Sequence, residues 1–272
     1  MRQVKFGVRN RLLLVFLVMS QLLLAQADTS TWTREFAVPY RAARAFKDML
    51  DNWYLIDDAG KLQKHNRTGK LIGYYHNTRF GKPSSVDATN PFSVFCFYQK
   101  QQRVVILDNA MTEVLVLNLQ DFGYYDVKAI GRSNDNQLWL YDAVQYKLVK
   151  LSTAGQVLNE SIPVEPYLSE TLVPNYLVEH ENKVLLGINQ YGFLIFDNFG
   201  KFLKNIRIDG ARDFVLEGEF FRYTLADEMY LMDPLYFESK LLKGATIQKD
   251  LLHFYKEVLL LLPNETVIYQ RN

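Results

Sequence analysis

Six times between residues 53 and 272 the chain runs through the same order: an apolar run, a polar break, a second apolar run, a turn, and usually a third run. The copies are WYLIDDAGKLQKHNRTGKLIGYY (53–75), VFCFYQKQQRVVILDNAMTEVLVLNL (94–119) and LWLYDAVQYKLVKLSTAGQVL (138–158). They continue as VLLGINQYGFLIFDNFGKFLKNI (184–206), FRYTLADEMYLMDPLYFESKLL (221–242) and VLLLLPNETVIYQRN (258–272). The residues ending the middle runs are His65, Leu107, Leu151, Phe196, Met232 and Tyr269, at intervals of 42, 44, 45, 36 and 37. Units of roughly 40 residues built from β-type runs are the signature of propeller blades. The runs are short and rich in Val, Ile, Leu, Tyr and Phe, and no convincing helical periodicity follows the N-terminal segment.

A blade needs four strands. A fourth run stands upstream of the copies, as in residues 126–130, 176–178 and 214–216. The last copy ends after its third run, while the first has a surplus run ahead of it, TREFAV (33–38). If that run supplies the missing outer strand, the termini close the ring and two open sheet edges disappear. The expected fold is therefore all-β, a single six-bladed β-propeller over residues 28–272. Turn residues agree: Gly60, Gly155, Gly200 and the Asn189–Gly192 stretch stand between runs, where Gly and Asn accept positive φ.

Phrases such as LWLYDAVQYKLVKLSTAGQVL and GFLIFDNFGKFLKNI resemble blades of six-bladed NHL-like or TolB-like propellers. The acid ending a strand stands at Asp57, Asp142 and Asp227, whereas Gln99, Asn189 and Pro263 occupy the equivalent places. The resemblance spans the expected domain and implies architecture, not chemistry.

Residues 1–27 read as a secretory signal. Arg2, Lys5, Arg9 and Arg11 precede an apolar stretch from Leu12 to Leu24, and Ala25-Gln26-Ala27 has the form of a cleavage site. The stretch is short for a bilayer span, which needs roughly 20 apolar residues. Removing 27 of 272 residues takes away four positive charges and shifts the formal net charge from +1 to −3. No basic field for nucleic acid is left. The expected location is the periplasm or cell envelope, or outside the cell. Cys96 is the only cysteine, so no internal disulfide is expected, and its apolar, aromatic surroundings point to a structural thiol.

Catalytic signatures are sparse. His65, His76, His180 and His253 show no metal-ligand spacing, and no nucleophile elbow, zincin motif or phosphate loop is present. Asp108, Asp197 and Asp233 read as turn acids, and Asn66 and Asn159 match glycosylation sequons. Counting back from each second strand places the mouths of the innermost strands near Arg41, Ser84, Asp126, Asn175, Arg212 and Gln248. Gluconolactonase-like propellers hold a divalent metal at this place through acids and amides. Two arginines and one acid are a poor hard-cation set, so no metal or cofactor is expected; a small anion or an acidic chain end suits the arginines better.

The expected function is a non-catalytic protein-binding or scaffold propeller, with the loop tyrosines 74, 75, 124, 125, 167 and 191 as interface candidates or, for several of them, packing between blades. The alternative is a small-ligand-binding or lactonase-like hydrolytic propeller working at the axial channel mouth. The proline-bearing stretch from Ile162 to Pro174 is the one notable insertion and a candidate lip over one face.

Overall fold

A computed structural model describes residues 32–164, 172–246, 250–254 and 257–271. Six four-stranded antiparallel sheets form the ring. From inside outward, blade one is β2 (Arg44–Lys47), β3 (Trp53–Ile56), β4 (Leu62–His65) and β5 (Leu71–Tyr75). Blade two is β6 (Ser85–Asp87), β7 (Val94–Tyr98), β8 (Arg103–Leu107) and β9 (Glu113–Asn118). Blade three is β10 (Val127–Arg132), β11 (Leu138–Asp142), β12 (Lys147–Leu151) and β13 (Val157–Glu160). Blade four is β14 (Pro174–His180), β15 (Lys183–Ile188), β16 (Gly192–Asp197) and β17 (Phe202–Arg207). Blade five is β18 (Arg212–Glu217), β19 (Phe220–Leu225), β20 (Glu228–Met232) and β21 (Ser239–Thr246).

Blade six joins the two ends of the chain. β22 (Leu251–His253), β23 (Glu257–Leu261) and β24 (Thr266–Arg271) are completed by β1 (Trp32–Val38). β1 runs antiparallel to β24 from Trp32↔Arg271 to Val38↔Thr266, with one irregularity between Arg34 and Phe36. Thr266 adds a second tie: its hydroxyl donates to Tyr40 O and accepts from Ala42 N. The surplus and missing runs of the sequence thus meet in one sheet.

Burial explains why the middle runs are continuously apolar. A middle strand is covered by neighbouring blades on both faces, so alternation disappears. Every residue of β3, β7 and β11 is buried, whereas β5 and β13 at the rim are largely exposed. In blades one to five the residue at the end of the third strand, or the first after it, caps the next turn. Asn66, Asp108, Ser152 and Asp197 each accept backbone N–H groups two and four residues on, and Asp233 accepts those two and three residues on. The turn acids 108, 197 and 233 are therefore bound to their own turns.

Blades are locked together by side chains that cross from one to the next. Trp139 is buried between blades three and four, and its Nε1–H donates to Glu179 Oε2 at 2.7 Å. Gln102 pairs its amide with the backbone of Val127, donating to O at 3.1 Å and accepting from N at 2.7 Å. Lys64 is fully buried; its Nζ bonds Asn109 Oδ1 at 2.6 Å and lies 5.3 Å from the Tyr54 ring centroid. Lys150 holds the same place in blade three, over Trp139, but pairs within its own blade, with Asp135 Oδ2 at 2.9 Å. Gly131 packs so closely that a Cβ there would stand 2.4 Å from Leu177 O. Outer strands also reach forward: Tyr75 donates to Glu113 at 2.9 Å, and Lys204 sits 3.9 Å from the Phe237 ring centroid.

Cys96 is buried in blade two, and burial pushes its thiol up to about 12. No helix among the described residues is long and apolar enough to cross a membrane.

Candidate binding face

In an antiparallel blade, the start of the innermost strand lies at the same end as the turn between strands two and three. One face of the ring, called here the mouth face, is therefore made of the blade-to-blade connections and those turns. Hydrogen bonds join the two sets: Ala43 N to Ile56 O, Ser84 N to Phe97 O, Ala143 N to Asp126 O, and Gln190 N to Ala211 O.

The sequence-derived mouth residues stand at the innermost-strand starts, apart from Gln248, which lies outside the described residues. Arg41 precedes β2, Ser84 precedes β6, Asp126 precedes β10, Asn175 is in β14 and Arg212 opens β18. Their side chains are engaged locally. Arg41 bonds Leu261 O at 3.0 Å and Asp250 Oδ1 at 3.1 Å. Asp126 pairs with Lys128 at 2.6 Å, and Arg212 with Asp227 at 2.7 Å. Ser84 Oγ accepts from Gln99 N, and Asn175 Oδ1 accepts from Asn189 N. Among the described residues no hydrogen bond or ion pair joins any two of the five.

Arg44, one residue into the first inner strand, was not singled out by the sequence. It donates to Ser84 O at 2.9 Å and Pro83 O at 2.7 Å, and its buried Nε has no partner. Burial lowers its pKa, because a guanidinium removed from water loses its hydration. Where blades six and one meet, a cleft of about 420 Å³ is lined by Tyr40, Arg41, Asp57, Asp58, Pro263 and Asn264, among others. Tyr40 donates to Lys61 O at 2.5 Å and accepts from Asp57 N; burial, with the Asp57 charge next, raises its pKa.

The tyrosines predicted as interface candidates divide. Tyr124 and Tyr191 are buried in the cores between blades, the second of the two places open to them; their rings fill space that adjacent sheets leave. Tyr75 is half-buried, Tyr74 is exposed at the rim, and Tyr167 lies outside the described residues. Tyr125 remains an exposed mouth-face aromatic, 64% accessible. Around it, in the connections and turn of blade three, stand Val144 at 62%, Ile162 at 65%, Tyr146 and Val173. The backbone holds them together: Asp126 O accepts from Ala143 N, and Tyr146 O accepts from Val164 N. The ends of the 162–174 insertion are anchored, with Val164 and Leu172 in the core between blades three and four. Asp142, beneath the patch, is buried; burial raises its pKa, while Val144 N donates to it. Among the described residues no group of three His, Cys, Asp or Glu side chains is placed to hold a metal ion.

Comparison with solved structures places the fold. The WD40 domain of Neurospora crassa Pan2 matches with a TM-score of 0.63 at 11% identity, covering 90% of this chain and 96% of that one. A streptogramin B lyase matches with a TM-score of 0.59 at 9% identity, covering 89% and 99%. BBS1N, solved in complex with ARL6DN, matches with a TM-score of 0.55 at 10% identity, covering 89% and 97%. The six four-stranded sheets make this chain a six-bladed β-propeller, and its fold is similar to that of an enzyme, a WD40 domain and a protein solved in a complex. No family model and no curated protein matches the sequence.

Proposed function

We propose that the chain is an exported, non-catalytic scaffold propeller of the periplasm or cell envelope, holding a protein partner on its mouth face. The observation that carries this reading is the gathering of exposed Tyr125, Val144, Tyr146, Ile162 and Val173 in one sector of that face. Scattered single apolar residues need no explanation, but several exposed apolar residues in adjoining connections of one face are what an interface centre would draw on. The engagement of Arg41 and Arg212 in ion pairs gives the small-ligand alternative less support at the axis.

The test is photocrosslinking in the native host, with the reactive amino acid at position 144 or, on the opposite face, at 236. A discrete protein adduct from position 144 is expected, together with a mature N-terminus at Asp28. A strictly monomeric protein with no adduct from either position, or turnover of a lactone or ester panel, would refute the reading.

A further inference from the structure

The mouth face is unevenly charged. Over blades one and two its connections and strand starts carry Arg44, Lys61, Arg79, Lys82, Lys100 and Arg103. The acids in the same turns are Asp57 and Asp58. Asp57 Oδ1 accepts from Lys61 N, and Asp58 lies 3.6 Å from Lys82 Nζ. Among the described residues no carboxylate pairs with the guanidinium groups of Arg44, Arg79 and Arg103. Arg79 and Arg103 each lie 5.5 Å from the centroid of the buried Phe80 ring, and Arg44 is held by two carbonyls and lies 5.9 Å from the Phe46 ring centroid. Phe80 packs on Tyr98 at 5.3 Å, so the ring beneath the two arginines is itself part of the core between blades one and two.

Around the ring the pattern changes. The apolar sector over blade three adjoins the basic one. Farther on, Asp209, Asp227 and Asp250 are ion-paired with Arg207, Arg212 and Arg41, so among the described residues these ion pairs add no surplus of positive charge over blades four to six.

We propose, resting on the protein-binding reading above, that the partner presents an extended segment whose carboxylates meet the arginine sector of blades one and two. One or two bulky apolar side chains of that segment seat on Tyr125, Val144, Tyr146 and Ile162. Guanidinium groups preset on a ring and unmatched by acids suit bidentate carboxylates. Complementary charge sets register and association rate, while the adjoining apolar sector supplies the anchor. An anionic bilayer fits the face less well, because these unmatched guanidinium groups are confined to blades one and two, whereas a flat surface would meet the whole ring.

The probe is a short fluorescein-labelled peptide of Glu, Ser and Gly bearing Leu and Trp, titrated into the chain from residue 28. Matched peptides replace Glu by Lys, or Leu and Trp by Ser; phosphatidylglycerol vesicles form a separate arm. The acidic apolar peptide is expected to bind, more weakly at higher salt. Arg79→Glu with Arg103→Glu is expected to weaken binding about tenfold. Ile162→Ser, at an exposed position, checks the anchor independently and is also expected to weaken it, whereas Tyr236→Ser on the other face leaves it unchanged. Equal binding of the Lys peptide, indifference to both mouth-face variants, or vesicle binding without peptide binding overturns the inference. A protein adduct from position 144 alongside any of those results leaves the protein-binding reading standing; no adduct from either face removes the reading itself.

Discussion

The bond from Trp139 Nε1 to Glu179 Oε2, 2.7 Å long and buried between blades three and four, is the sharpest energetic test of how the ring is held. Trp139→Phe keeps an aromatic ring for Lys150, 5.6 Å from the Trp ring, but removes the indole donor. Glu179, itself buried, then loses the hydrogen bond that offsets its desolvation. Removing a hydrogen bond to a charged group costs about 1.5–3 kcal/mol, and the smaller ring raises the expected total to about 2–4 kcal/mol. For a chain of this size that lowers Tm by roughly 4 to 16 °C. Glu179→Leu alone strands the indole N–H instead. The double variant strands neither group, so its cost should fall short of the sum of the singles by about 1.5–3 kcal/mol. The assay is guanidinium unfolding followed by far-UV circular dichroism, since Trp139 is one of three tryptophans and fluorescence would change with the substitution itself. A coupling below about 0.5 kcal/mol would refute the argument that this bond ties the two blades.

Four other outcomes follow from the structure. Burial lowers the pKa of His65, whose Nδ1 bonds Gly69 O, so the unfolded chain binds the proton more readily than the folded one. Stability should therefore fall as pH drops through the ordinary histidine range, and in His65→Gln a thermal melt series from pH 7.5 to about 5.5 should show a smaller drop. Gly131→Ala places a Cβ 2.4 Å from Leu177 O, and should cost about 1–3 kcal/mol in denaturant unfolding. A chain beginning at residue 39 lacks β1 and exposes the edge of β24, so size-exclusion chromatography should show association or aggregation in place of a monomer. Cys96 should resist thiol reagents in the native state and react on unfolding, measured by mass spectrometry against time in denaturant.

Much of the ring was legible because a blade is a local object. Its strands are neighbours in sequence, its middle strands are apolar throughout, and its turns repeat. The match of one missing run to one surplus run located the closure. Gly60, Gly155 and Gly200 have the positive φ that their positions suggested. The same left-handed conformation at Gln102, Met111, Tyr146, Gln190 and Phe237 was not legible, since hairpin closure imposes it on residues that do not favour it. Lys64 and Lys150 were equally silent. Alternation would send them to solvent, yet an adjacent turn or blade supplies Asn109 and Asp135.

The sequence by itself determined the class, the blade count and the closing strand, because strand period, turn chemistry and repeat length are properties of contiguous residues. It also named the ends of the innermost strands. Only the tertiary structure decided which side chains there are already spent on neighbours, which tyrosines are core, and which exposed groups share a face. Arg44, Arg79 and Arg103 are separated by dozens of residues, as are Tyr125 and Ile162. A propeller brings such residues to one face because every blade returns its chain to the same end of the ring. Their proximity is a consequence of closing that ring, and no local pattern records it.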